Sequence, residues 1–107
     1  MLVDVRTYTV KPGKLAPHVA IYQEHGFAAQ TRHLGQPVAW LTAESGELNT
    51  IVHLWAYEDA AERAKKRAAM QADPAWQEYL RRSGEAGYLM QQRNSLMIPA
   101  SFAPLKR

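Results

Sequence analysis

The chain has 107 residues, no cysteine, and 13 basic against 10 acidic side chains for a formal net charge of +3. That length suits a single domain over residues 1–107, and the missing cysteine excludes disulfides, thiolate nucleophiles and cysteine-held zinc, as suits a reducing cytoplasm. No apolar run nears the roughly 20 residues of a membrane span, and the basic residues are scattered from Arg6 to Arg107 rather than gathered into a nucleic-acid stripe.

Residues 2–10, "LVDVRTYTV", are rich in β-branched side chains and run into Lys11-Pro12-Gly13, the pattern of a strand closed by a turn. Residues 15–33 carry Leu15, Val19, Tyr22, Gly26, Ala29 and His33 on one helical stripe, with Pro17 inside the first turn and Gly35 as a stop. A second strand is expected over 37–44, a turn at Ser45-Gly46-Glu47-Leu48, and a third strand over 49–57, which makes an antiparallel hairpin. Asp59 and Glu62 have capping-box spacing ahead of an alanine-rich helix with Ala61, Ala64, Ala68 and Ala72 on one side. Asp73-Pro74 interrupts that helix, because the residue before proline is driven out of helical geometry. A second helical piece over 74–83 carries Trp76, Tyr79 and Leu80. Gly84 and Gly87 then loosen the chain before a last strand over 88–98.

The order β-α-β-β-α-β is that of a ferredoxin-like α+β fold: an antiparallel four-stranded sheet with helices on one face. Side chains alternate between the faces of a strand. Val3, Val5, Thr7, Ala39, Leu41, Ala43, Val52, Leu54 and Ala56 make a small aliphatic set, suited to lie under helices. Arg6, Tyr8, Trp40, His53 and Trp55 make an aromatic and charged set, which Leu89, Gln91, Arg93 and Ser95 could join. Left bare, the aromatic set would form a larger apolar patch than soluble monomers carry. A second copy of the chain is therefore expected to cover it, giving a symmetric homodimer.

The segments "RTYTVKPGKL", "GELNTIVHLWAYED", "ERAKKRAAMQADPAWQEYL" and "QQRNSLMIPASF" together resemble the NIPSNAP family. The resemblance rests on Tyr8 with Pro12-Gly13, Gly46-x-Leu48-Asn49, His53-x-Trp55-x-Tyr57, Arg63 with Arg67, and Asp73-Pro74-x-Trp76. It implies a dimeric α+β barrel, in which two ferredoxin-like sheets close on each other. It implies no catalytic residue, since the family's activity is not settled.

His53, beside Arg6 and Tyr8, has the chemistry of a general base toward a ligand; a hydrogen-bonded histidine tying strands or subunits together is equally consistent with the pattern. Trp40 and Trp55 could wall a pocket for a flat ligand or serve as interface core. Arg6, Tyr8, Trp40, His53 and Trp55 are accordingly the ligand-binding candidates, with His53 and Tyr8 as the catalytic ones. His18, His25 and His33 are spaced by seven and eight, without a metal-ligand motif, and read as surface or helix-edge residues. No metal or cofactor is expected, although His33 is the one residue that could serve as an axial haem ligand. Arg63 and Arg67, one turn apart, need carboxylate partners such as Glu58 or Glu47, or a bound anion. Three functions remain open at this point: small-ligand binding, cofactor-independent monooxygenase or isomerase chemistry, and a structural or interaction module.

Overall fold

The four β-rich stretches form strands and pair into one antiparallel sheet, with the first and third strands in chain order at its centre and the second and fourth at its edges. A computed structural model describes residues 1–105. In it the strands are β1 (Leu2–Val10), β2 (Ala39–Thr42), β3 (Thr50–Tyr57) and β4 (Leu89–Met97), and the helices are α1 (Leu15–His25), α2 (Phe27–Leu34), α3 (Ala60–Gln71) and α4 (Pro74–Ala86). This is the ferredoxin-like α+β order, with each of its two helices in two pieces.

Both breaks have local causes. The helix expected over 15–33 parts at Gly26, where a Cβ would stand 2.9 Å from the Tyr79 ring and 3.0 Å from that of Tyr22. Glycine thus lets α1 and α4 come together, and the backbone bends there. The second break falls where Asp73-Pro74 predicts it. Asp73 accepts a hydrogen bond from the Ala75 N–H at 2.8 Å, and Pro74 takes the first helical position, where a missing N–H costs nothing. At the start of α3, Asp59 accepts from the Glu62 N–H at 2.8 Å, as the capping-box spacing foretells. The last helix runs past Gly84 to Ala86, so Gly84 does not loosen the chain; Gly87, at φ +67°, is the left-handed residue that ends the helix. The second strand keeps only four of its eight expected residues, although Val38 and Ala43 still donate backbone hydrogen bonds to β3.

The faces of the sheet are the reverse of the expectation. The core joins Trp55 and Tyr57 of β3 to Tyr22, Ala29, Leu34, Met70, Trp76 and Tyr79 of the helices. Asp4, Ile51 and His53 are buried with them. The chain's own helices, and no second copy, therefore cover the aromatic and charged set. The helices present large rings and arginines toward the sheet, and only large or charged partners fill and balance that layer. The small aliphatic set lies on the opposite face. Register decides the fourth strand as well: Gln92, Asn94 and Leu96 oppose Tyr8, Arg6 and Asp4, whereas Gln91, Arg93 and Ser95 oppose Thr9, Thr7 and Val5. Of the residues expected to join the aromatic set, only Leu89 does so, across a register shift beside Val10.

Candidate functional site

One rung of the sheet carries most of the candidate residues. Trp40 is opposite His53, His53 opposite Arg6, and Arg6 opposite Asn94. The next rung brings in Tyr8 opposite Ile51. Above these rungs, between sheet and helices, lies a cleft of about 410 Å3, within the range of small-molecule sites. Arg6, Tyr8, Trp40 and His53 form its floor. The helices supply His18 and Tyr22 from α1, Gln30 from α2, Arg67 from α3, and Trp76, Tyr79 and Ser83 from α4. The last three sit at i, i+3 and i+7, so one stripe of α4 faces the cleft.

His53 is at the centre. Its ring stacks on Trp40 at 5.7 Å and meets Tyr8 edge-on at 4.8 Å. The Trp55 indole donates its Nε1–H to His53 Nδ1 at 2.6 Å. An indole nitrogen can only donate, so Nδ1 is the acceptor and the neutral ring carries its proton on Nε2. That Nε2 is buried and has no hydrogen-bond partner among the described residues. Burial, reinforced by the charges of Arg6 and Arg67 and opposed by Asp4, depresses the imidazole pKa to about 4. At neutral pH the ring is therefore uncharged and holds an unused N–H donor in the floor of the cleft. Trp55 is not in the cleft wall; it stands behind His53 and fixes its tautomer.

A buried carboxylate organises the arginines. Asp4, with no exposed surface, accepts from Arg6 at 3.2 Å, Arg63 at 3.1 Å and Asn94 at 3.0 Å. Burial pushes the carboxyl pKa up, but the Asn94 hydrogen bond and the two guanidinium charges outweigh it and hold Asp4 below its ordinary range. Arg6 also donates to the Tyr8 hydroxyl at 2.9 Å. The partner of Arg63 is thus Asp4, not Glu58 or Glu47. Arg67 lines the cleft instead.

His18 is buried against the cleft, contrary to its reading as a surface or helix-edge residue, and burial lowers its pKa. His33 is engaged outside the cleft, its Nε2 lying 2.8 Å from Asp73, which also accepts from Arg32 at 2.7 Å. Among the described residues, no three His, Asp or Glu side chains converge as a metal site, and no helix is long and apolar enough to cross a membrane.

The NIPSNAP family model matches residues 3–104. The chain belongs to the NIPSNAP family. A solved NIPSNAP domain protein from Burkholderia xenovorans is 38% identical with a TM-score of 0.89, the match covering 97% of this chain and 99% of that one. Atu4242 from Agrobacterium tumefaciens is 34% identical with a TM-score of 0.91, over 99% of this chain and all of the other; it is described as a NIPSNAP protein with unknown function. The NipSnap homologue of Dictyostelium discoideum is 41% identical over 75 residues, which make up 70% of this chain and 33% of that protein. This NIPSNAP chain thus spans about a third of the length of the curated relatives it matches. An antibiotic biosynthesis monooxygenase superposes with a TM-score of 0.61 at 15% identity, over 94% of this chain and 99% of that one, a likeness of fold alone.

Apart from the turn residues and Pro74, the residues that carried the resemblance fall into two groups. Tyr8, His53, Arg67 and Trp76 line the cleft, while Trp55, Tyr57, Arg63 and Asp73 support it from behind or from the helix ends. The sequence reading left His18, Gln30 and the α4 stripe out of the site. Trp76, Tyr79 and Ser83 were discoverable from their helical spacing, once the helices were known to face the aromatic set. His18 carried no such signal.

Proposed function

We propose that this NIPSNAP chain binds a small, flat aromatic or apolar ligand in the cleft between its sheet and its helices. The carrying observation is a hollow of about 410 Å3 walled by rings of Tyr8, Tyr22, Trp40, Trp76 and Tyr79, in a layer that is otherwise closely filled. Flat ligands gain both apolar burial and ring stacking in such a space. A thermal-shift screen of aromatic compounds tests this. Ligands that raise Tm are expected, with the rise reduced by His53→Ala and Tyr8→Phe; shifts unaltered in both variants would remove the site.

The functional unit is a homodimer joined through the helix-free face of the sheet. Leu41 and Met97 are each 54% exposed on that face, and Val5, Val52 and Leu54 are only half-buried beside them. Burying them together stabilises a pair at about 25 cal/mol per Å2. Sedimentation across a dilution series checks this, and a single-chain mass at micromolar concentration overturns it. A cysteine-free chain fits the cytoplasm as its compartment, which cell fractionation tests.

A second reading, cofactor-independent monooxygenase or isomerase chemistry, is favoured by the unused His53 Nε2–H, which stands where it could stabilise an oxyanion. Oxygen uptake or solvent deuterium exchange by ligands from the screen would support it. Neither signal, with binding intact, leaves a binding protein.

A further inference from the structure

The polar groups of the cleft are unbalanced. None of the residues lining it is an aspartate or glutamate. Behind the floor, the single charge of Asp4 is shared between Arg6 and Arg63. Arg67 completes the trio of arginines, and no carboxylate among the described residues pairs with it. Its charge is felt by His53 and by the buried Tyr57. Two guanidinium groups thus share one buried carboxylate, while a third lines the cleft, where no acid stands. His53, 3% exposed, lines the same space, and its buried Nε2–H has no acceptor among the described residues. Leaving a buried donor unmet is unfavourable, and a ligand oxygen placed there relieves that cost.

We infer that the ligand carries a negatively charged oxygen, a carboxylate or a phenolate, at the edge of its flat ring, received by the His53 Nε2–H and the Arg67 guanidinium. This rests on the ligand-binding reading above and narrows it to organic acids. The aromatic walls hold the ring by stacking and burial, contributions indifferent to charge. The two donors discriminate, because a charged acceptor strengthens both hydrogen bonds and a cationic group would meet only like charge. Trp55 is a positioning residue here: by occupying Nδ1 it keeps the His53 proton on the nitrogen that faces the ligand.

Calorimetric titration of the full chain at neutral pH with 2-naphthoate, 2-naphthamide and 2-(aminomethyl)naphthalene separates charge from shape. The acid is expected to bind at least about tenfold more tightly than the amide, and the amine most weakly. Arg67→Gln should erase most of that preference, weakening the acid far more than the amide. 4-Nitrophenol distinguishes the phenolate source: if its oxyanion is the form received, its yellow absorbance rises on mixing with the protein at fixed pH. In nitrogen-15 spectra of the histidine rings, the acid should move the His53 Nε2–H signal, a readout independent of any variant that fails to fold. Equal affinities for acid and amide, or a preference unchanged in Arg67→Gln, overturn the organic-acid inference and leave ligand binding standing. No binding by any probe overturns both.

Discussion

The two faces of the sheet are made by the same four strands yet solve different problems. On one, Trp40, His53, Trp55 and Tyr57 lie under helices with Asp4 and two of its arginine partners among them. On the other, Val5, Thr7, Leu41, Val52 and Leu54 have no helix above them. A layer roofed by tryptophan and tyrosine from α1 and α4 stands high above the sheet, and only long side chains bridge the gap. Where bridging is incomplete, a cleft remains. The small side chains of the other face leave a flat surface, which suits close stacking against a second sheet about 10 Å away.

Substitutions can break this contrast. Trp55→Ala empties a site that is 1% exposed and removes the tautomer lock on His53. It should cost about 3–5 kcal/mol in urea unfolding, at every protein concentration. Acidification probes the same layer. The unfolded imidazole titrates near 6.5 and buried His53 near 4, so native His53 resists the proton that the unfolded chain accepts. Its contribution is complete above pH 6.5 and is lost as the pH falls toward 4, an upper figure of about 3 kcal/mol. His18, lowered by the same burial, adds in the same direction. Asp4, held below 3.8, keeps its full contribution through that window and loses it only at lower pH. Unfolding midpoints measured at several pH values, in wild type and His53→Phe, should diverge across it.

Gly26→Ala puts a methyl group against the Tyr79 ring and should destabilise by about 1–3 kcal/mol through overpacking. Opposite results are expected on the helix-free face. Val5→Lys should dissociate the proposed dimer in sedimentation while leaving the single chain folded. Leu41→Ser, at an exposed position, should shift unfolding of the dilute chain by less than about 0.5 kcal/mol. If Leu41→Ser cost as much as Trp55→Ala in dilute solution, the contrast between the faces would vanish.

Much of this was legible from residues alone. Period-two alternation is covalent geometry, so it sorted Arg6, Tyr8, Trp40 and His53 together before any fold was known. Asp59 and Asp73-Pro74 marked helix starts because their capping chemistry is local. Which set the helices would cover was not legible, because that depends on what the helices bring. The decisive partners, Tyr22, Arg63 and Tyr79, come from distant stretches of chain. The bend at Gly26 was hidden for a related reason: the ring of Tyr79, more than fifty positions away, is the nearest group that crowds a side chain there.

The shared carboxylate also bears on synthesis. Asp4 leaves the ribosome well before Arg63 and Asn94, and β1 needs β4, the last of the four strands in chain order, to complete its pairing. A nascent chain halted before residue 94 would hold an acid with part of its shell missing and a central strand with one raw edge. Maturation of the fold must therefore wait until β4 has been made, and chains cut before it should be targets for proteolysis rather than smaller working versions.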